Sequence, residues 1–278
     1  MTRALTQPRS MILLVNFLTL LGLWGEFQKN SNSLESMALR YLASYPESLV
    51  HNALMVIYAL AFLGLIAMLR FTRKLLALPL VFLTLLNLTA SFWSETFVSL
   101  SVAPLDQALR FGPALILLFF LGAKKEEEAF DSGLLLFLSL TFLGHGIECW
   151  MMKAEFQDFL WEFLEGKMGL TLPEFTVPYL LYAIGLMDLN LAWLSLNHDL
   201  GARWKTLVFL QMFLWGSLTS FERIFYYGDS GFFLLIERSA HIIVPFYFLI
   251  SNLKFVVGKN GAQPQLVSNS ILLKGVWR

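Results

Sequence analysis

Apolar runs of helix length recur from Met11 to Leu253 with only short polar interruptions, and nothing else in the chain restricts its fold as much. A bilayer core takes about 20 apolar residues per helix. Lipid offers no partner to backbone polar groups, so such runs cross as helices that satisfy their own hydrogen bonds. Eight stretches can be drawn: Met11–Gly25, Ala53–Leu69, Leu75–Trp93, Leu105–Leu121, Gly133–Glu148, Thr176–Leu196, Thr206–Thr219 and Phe232–Leu253. Several are short, which predicts tilt or local thinning of the bilayer. The 278 residues are 57% hydrophobic and only 14% charged, a balance that a water-soluble domain does not hide. The expected fold class is therefore all-α, a polytopic membrane bundle of about eight transmembrane helices.

Formal net charge is zero and the basic residues are scattered, which leaves no electrostatic footprint for nucleic acid. The partner implied is the lipid bilayer. One cysteine, Cys149, excludes an intramolecular disulfide and any motif needing two sulfurs. Arg3 and Arg9 precede the first apolar run as in a signal peptide, but no small-residue cleavage site follows, so the run reads as the first span.

Lys and Arg set the orientation. With the N-terminus inside, the cytoplasmic side receives Arg3, Arg9, Arg70, Arg73, Lys74, Lys124, Lys125, Arg203, Lys205, Lys254, Lys259, Lys274 and Arg278, while the outer loops receive only Lys29, Arg40, Lys153, Lys167 and Arg223. Both termini are expected to be cytoplasmic, in a multi-pass protein of a bacterial cytoplasmic membrane.

An internal repeat divides the chain. Leu18-Thr-Leu-Leu-Gly22 with Glu26 matches Leu140-Thr-Phe-Leu-Gly144 with Glu148 at an offset of 122. Leu34, Met37, Ala38, Tyr41 and Leu42 match Phe156, Phe159, Leu160, Phe163 and Leu164 at the same offset, and both sets have the spacing of an amphipathic helix at the membrane interface. Ile57-Tyr-Ala-Leu follows Leu181-Tyr-Ala-Ile at 124, and Arg110 is matched to Arg238 at 128. Four spans per copy is an even number, so the copies are tandem parallel repeats. The expected organisation is a first four-helix unit over residues 1–123, a charged cytoplasmic linker over 124–131, a second unit over 132–254 and a cytoplasmic tail over 255–278.

Ionisable residues inside a span are costly and are functional candidates by default. The second unit concentrates them. His145 and Glu148 share a face at the outer end of the fifth stretch, Asp188 lies within the sixth, Glu222 and Arg223 end the seventh, and Glu237, Arg238 and His241 occupy the outer half of the eighth. The repeat alignment puts Leu23, Gly64, Leu109 and Pro113 of the first unit opposite His145, Asp188, Glu237 and His241. Catalytic or proton-handling roles are therefore assigned to His145, Glu148, Asp188, Glu237 and His241. Arg238, Glu222 and Arg223 are read as substrate-binding groups or structural ion pairs, with Arg238 a counter-ion to Asp188 or Glu148.

Three chemistries use this set. Carboxylates and histidines near a membrane surface pass protons to and from a bound quinone, with Phe and Trp as its walls. His145, Glu148, Glu237 and His241 form a permissive ligand set for iron, manganese or zinc, or the two histidines ligate a haem from opposite sides. The third chemistry is transport of a proton or small solute, against which the cytoplasmic half of the bundle is almost uniformly apolar.

Glu237-Arg238-Ser-Ala-His-Ile-Ile-Val-Pro245, Gly144-His-Gly-Ile-Glu148 and Ile184-Gly-Leu-Met-Asp188 resemble the DoxX-like four-helix membrane superfamily, chiefly over residues 133–253. The resemblance implies a four-helix unit, doubled here, and a link to membrane redox, since the group includes a thiosulfate:quinone oxidoreductase. The function expected is a redox-associated membrane subunit binding quinone or another lipophilic substrate in an outward-facing polar pocket. A small-solute or proton transporter, and a non-catalytic protein that assembles with other membrane or redox subunits, are the alternatives.

Overall fold

The structure is a computed structural model, and it describes residues 7–29, 33–96, 102–228 and 231–257. The described residues are helical with no strand. Twelve helices follow in order: α1 Pro8–Gln28, α2 Ser33–Tyr41, α3 Glu47–Arg70, α4 Leu78–Thr96, α5 Ala103–Asp106, α6 Ala108–Phe120, α7 Glu126–Trp150, α8 Ala154–Trp161, α9 Thr176–Leu196, α10 Ala202–Tyr227, α11 Gly231–Glu237 and α12 Ala240–Val257. A short 3-10 turn, Lys74–Ala77, leads into α4, and a π turn, Glu162–Lys167, continues α8. The cytoplasmic tail expected from residue 255 lies almost wholly outside the described residues.

Among the described residues five segments are long and apolar enough to cross a bilayer: Pro8–Gln28, Glu47–Arg70, Glu126–Trp150, Thr176–Leu196 and Gly231–Leu253. The other expected spans fall on helices of a different character. Ala108–Phe120 has 13 residues, about 20 Å of helix against a hydrocarbon core of about 30 Å. Lys74–Ala90 is likewise short. Thr206–Thr219 is part of the 26-residue α10, whose ends carry Arg203, Lys205, Glu222 and Arg223.

Lipid contact is written on the surface. Leu49, Val56, Leu60, Leu63, Ile66 and Leu69 make an exposed apolar stripe on α3, and Leu207, Leu214, Leu218, Phe221 and Phe225 make one on α10. An apolar helix face turned outward has no place in water but is at home against acyl chains. Behind these faces lies an extensive apolar core, with a smaller cluster of Cys149, Val177 and Leu181 beside it. The extensive core includes Ile12, Leu20, Tyr58, Met68, Leu83 and Leu117 from the first half and Phe130, Leu138, Met212 and Val244 from the second.

The charged segment after residue 123 is not a linker. Gly122 adopts a left-handed φ of 74° and its N–H donates to Glu126 Oε2 at 2.6 Å. Helix α7 then begins at Glu126, because Glu126, Glu127 and Glu128 in its first turn complement the positive end of the helix dipole. Phe130 is already fully buried, and Asp131 accepts a 2.6 Å hydrogen bond from Tyr247 on α12. The basic residues of this end meet neighbouring helix termini: Arg9 donates to the Met68 carbonyl at 2.8 Å and Lys74 to the Phe119 carbonyl at 2.6 Å.

At the opposite end the halves interlock. Helix α11 packs on α1, and α5 packs on α7. Gly22 lets the backbone of Glu237 lie directly against α1, and Gly144 does the same for the backbone of Asp106 on α7; a Cβ at either position would collide with main chain. Asp106 and Glu237 are each the last residue of a short helix that stops and restarts, with Pro113 and Pro245 inside the helices that follow. Asp106 and Glu237 thus occupy like places at the two breaks, each packed against a glycine of a long helix. The Leu109 N–H, unpaired at the start of α6, donates to Thr141 Oγ1 on α7 at 3.0 Å.

Candidate functional site

The helix break before α12 positions the site. Arg238 and Ser239 leave the helical path between Glu237 and Ala240, so the side chains of Arg238 and His241 point inward toward α7 and α10. Pro245 lacks the N–H that would bond the His241 carbonyl. The backbone of α10 fills that space, with Gly216 against the freed carbonyl. The His241 Nδ1–H donates to the Arg238 carbonyl at 3.2 Å, which leaves Nε2 as the acceptor nitrogen.

His145, Asp188, Glu222, Arg223, Arg238 and His241 then line one cavity of about 160 Å³. The rest of its wall is mostly apolar, with Phe142, Leu181, Ile184 and Trp215 prominent. Helix α8 lies over it and contributes Phe156 and Phe159, so the amphipathic loop helix expected at the interface also roofs the site. An almost wholly apolar groove, lined by Phe163, Leu218, Phe221 and Phe225, shares Phe159 and Glu222 with the cavity.

Within the cavity, Asp188 shares the wall with the Trp215 indole. Its Oδ1, the Nε–H of Arg238 and Nε2 of His241 have no hydrogen-bond partner among the described residues. His145 and His241 meet edge-on with ring centroids 5.8 Å apart. Glu222 and Arg223 approach to 3.8 Å at the junction with the apolar groove, the ion pair their sequence neighbourhood suggests.

Two expected members stand elsewhere. Glu148 lies behind the cavity wall, where Lys153 Nζ donates to its Oε1 at 2.7 Å and His145 Nδ1 is 3.9 Å from its Oε2. Glu237 turns toward the first half and pairs with Arg110 at 2.9 Å. Among the described residues no ion pair joins Arg238 to Glu148 or Asp188; the carboxylates within its electrostatic reach include Asp106, Glu237 and Glu222.

The placement decides against the metal set. His145, Glu148, Glu237 and His241 do not converge, because Glu148 is held by Lys153 and Glu237 by Arg110, and no group of three or more His, Cys, Asp or Glu among the described residues is arranged to hold a metal ion. Nor does the cavity suit a haem. The two imidazoles touch each other, and about 160 Å³ is below the roughly 300–1,000 Å³ of sites for drug-sized ligands. It suits a ring-sized head group.

Residues that sequence reasoning missed have instructive reasons. Trp215 is one of many aromatics on apolar helices and carries no local signal. Lys153 sits five residues beyond Glu148, just outside the span, where it reads as an ordinary loop charge. Comparison with protein-family models, with curated proteins and with solved structures finds no match, so the chemistry of the site rests on its own geometry.

Proposed function

We propose that the chain is an integral membrane protein whose cavity between α7, α9, α10 and α12 binds the head group of a lipophilic molecule of the quinone class. The observation that carries this is the pairing of an unsatisfied donor with unsatisfied acceptors inside one small cavity that continues into an apolar groove. Arg238 donates to a carbonyl oxygen, while His241 Nε2 and Asp188 accept from a hydroxyl. Buried polar groups without partners are costly, and a ligand head that supplies both kinds of partner relieves them. A quinone offers carbonyls and its quinol offers hydroxyls, so both forms find partners here. The groove past Phe159 and Glu222 receives the tail.

On this reading His145, Asp188 and His241 are the proton-handling groups and Arg238 the anchor. Glu148 positions His145 from behind. Electron exchange with the bound ligand belongs to a partner redox subunit. The DoxX-like resemblance of the segments around His145, Asp188 and Arg238 supports a membrane-redox setting. Eight crossings, arranged as a duplicated four-helix unit with both termini cytoplasmic, complete the reading. The lipid-type faces of α3 and α10, the interlock at Gly22 and Gly144, and the grouping of Arg9, Arg70, Lys74 and Lys125 at one end support it.

The test uses Trp215 as a built-in reporter. Titration of the protein in nanodiscs with a short-tailed quinone should quench tryptophan fluorescence saturably, and Trp215→Phe should remove most of that signal. Asp188→Asn and His241→Leu should each weaken binding by about tenfold, the equivalent of one hydrogen bond of about 1.5 kcal/mol. Equal affinity in folded variants would overturn the reading. Solute flux into proteoliposomes abolished by Asp188→Asn would replace it with transport.

A further inference from the structure

At the end of the bundle away from the cavity, the chain turns from α3 into α4, and every residue of 69–75 is exposed. Three of these residues are bulky and apolar and three are basic. Leu69, Phe71 and Leu75 are 69%, 53% and 74% exposed, with Arg70, Arg73 and Lys74 interleaved among them. Water alone does not favour such a mixture.

The backbone holds this corner in place. Helix α3 stops at Arg70, and Phe71 and Arg73 are extended, which carries the chain out of the helix. The 3-10 turn that follows is pinned from behind. Its Leu76 carbonyl occupies the space that a Cβ on Gly64 of α3 would take, and Lys74 donates to the Phe119 carbonyl at the end of α6. Two N–H donors of the Lys74 ammonium remain beyond that bond.

The apolar members prolong the outward face of α3, running on from Leu63 and Ile66, which lies against acyl chains. The basic members stand where that face ends, at the level of lipid head groups. Long basic side chains lay their stems along apolar surface there and keep the charge at the interface.

No carboxylate of the chain claims these charges. Among the described residues Arg70, Arg73 and Lys74 make no ion pair, while Glu126 is engaged by Arg9 and the Gly122 N–H, and Glu128 by Lys125. Residues 1–6 and 258–278 contain no Asp or Glu. An acidic protein segment would meet the cations but leave the three apolar side chains in water. An anionic group that carries acyl chains meets both.

From this we infer that the α3–α4 corner binds an anionic phospholipid, its phosphate held by Arg70, Arg73 and Lys74 and its acyl chains lying along Leu69, Phe71 and Leu75 onto the face of α3. The site rests on the membrane setting alone, not on what the cavity between α7 and α12 binds.

Native mass spectrometry of the full chain, titrated with phosphatidylglycerol and separately with phosphatidylcholine, tests this. The parent should bind the first phosphatidylglycerol about tenfold more tightly or better. Arg70→Gln combined with Arg73→Gln leaves the Lys74 bond intact, and should weaken phosphatidylglycerol by about fivefold per arginine, the equivalent of about 1 kcal/mol each. Phosphatidylcholine binding should not change, and Lys167→Gln at the other end should alter neither lipid. Quinone quenching of tryptophan should be the same in the double variant, so this site and the larger cavity fail or stand separately. Equal affinity of the parent for the two lipids would overturn the inference even if the double variant failed to fold, and so would undiminished phosphatidylglycerol binding in that variant. Displacement of phosphatidylglycerol by an equal concentration of inorganic phosphate would assign the corner to a free anion, and displacement by an oligoglutamate peptide would assign it to a protein partner. Either result overturns the lipid.

Discussion

Arg110 Nη1 and Glu237 Oε1 meet at 2.9 Å, joining α6 of the first half to the end of α11 in the second. The Glu237 side chain is 2% exposed and Arg110 is 19% exposed, so this pair is held away from bulk water. Removing one member deprives the other of its close partner. Glu237→Ala is expected to destabilise the protein by about 3–5 kcal/mol, as breaking a buried pair does. Arg110→Met combined with Glu237→Met should recover most of that loss. Reversible unfolding in mixed micelles, followed by helix content, measures both.

The interlock makes a steric prediction. Gly22→Val and Gly144→Val each drive a side chain into the main chain of Glu237 and Asp106 respectively. Overpacking of this kind costs about 1–3 kcal/mol when neighbours can shift, and here the obstacle is backbone. Both variants should lower the midpoint of thermal unfolding, whereas Gly166→Ala, on the π turn where a Cβ meets only ordinary contact, should not.

Lys153 decides what Glu148 does. Its Nζ bonds Glu148 Oε1 at 2.7 Å, and both side chains are largely buried. Lys153→Met should therefore destabilise by about 3 kcal/mol or more by leaving a buried carboxylate without its partner. Adding Glu148→Gln to Lys153→Met should restore much of the stability. If Glu148 were instead a ligand-contacting group, the double variant would regain stability but lose quinone binding entirely, where a positioning role predicts only weakened binding.

Far from the site, Tyr247 donates to Asp131 Oδ1 at 2.6 Å and ties α12 to the start of α7. Tyr247→Phe keeps the ring and removes the hydroxyl. The expected loss is about 1.5–3 kcal/mol, the range for a hydrogen bond to a charged group. Hydrogen exchange at the first turns of α7 should rise in this variant while that of α9 stays as it is.

Ser139 on α7 and Ser195 on α9 exchange a 2.7 Å hydroxyl contact below the main cavity. A double-mutant cycle with Ser139→Ala and Ser195→Ala should give a coupling of about 0.5–1.5 kcal/mol. Zero coupling would mean that each hydroxyl is satisfied by its own helix, since both also bond helix carbonyls at 2.8 Å.

Local pattern made the helices legible. The eight apolar stretches fall on helices, two of them interrupted at Gln107 and at Arg238–Ser239, and both amphipathic loop segments are mostly helical where their i, i+3, i+4 spacing puts them. The 124–131 linker failed as a reading because a run of charge has two physical meanings. It can be a solvated loop, or it can be the acidic first turn of a helix, and here a glycine turn and three glutamates favour the second. The candidate site was legible as an inventory. Six of the eight residues singled out for costly burial share a cavity.

Chemistry and hydropathy along the chain determined that this is a multi-pass helical membrane protein, that its ionisable groups gather at one end of the second half, and which of them are candidates for function. Tertiary structure alone decided the partners: Glu148 with Lys153, Glu237 with Arg110, and Arg238 facing a cavity. The reason is one of scale. Apolar periodicity is a property of about one helical turn and can be read from neighbours in sequence, whereas a pairing across a buried interface depends on helix breaks and on glycines such as Gly22 and Gly144, whose effect is felt only by the backbone of another segment.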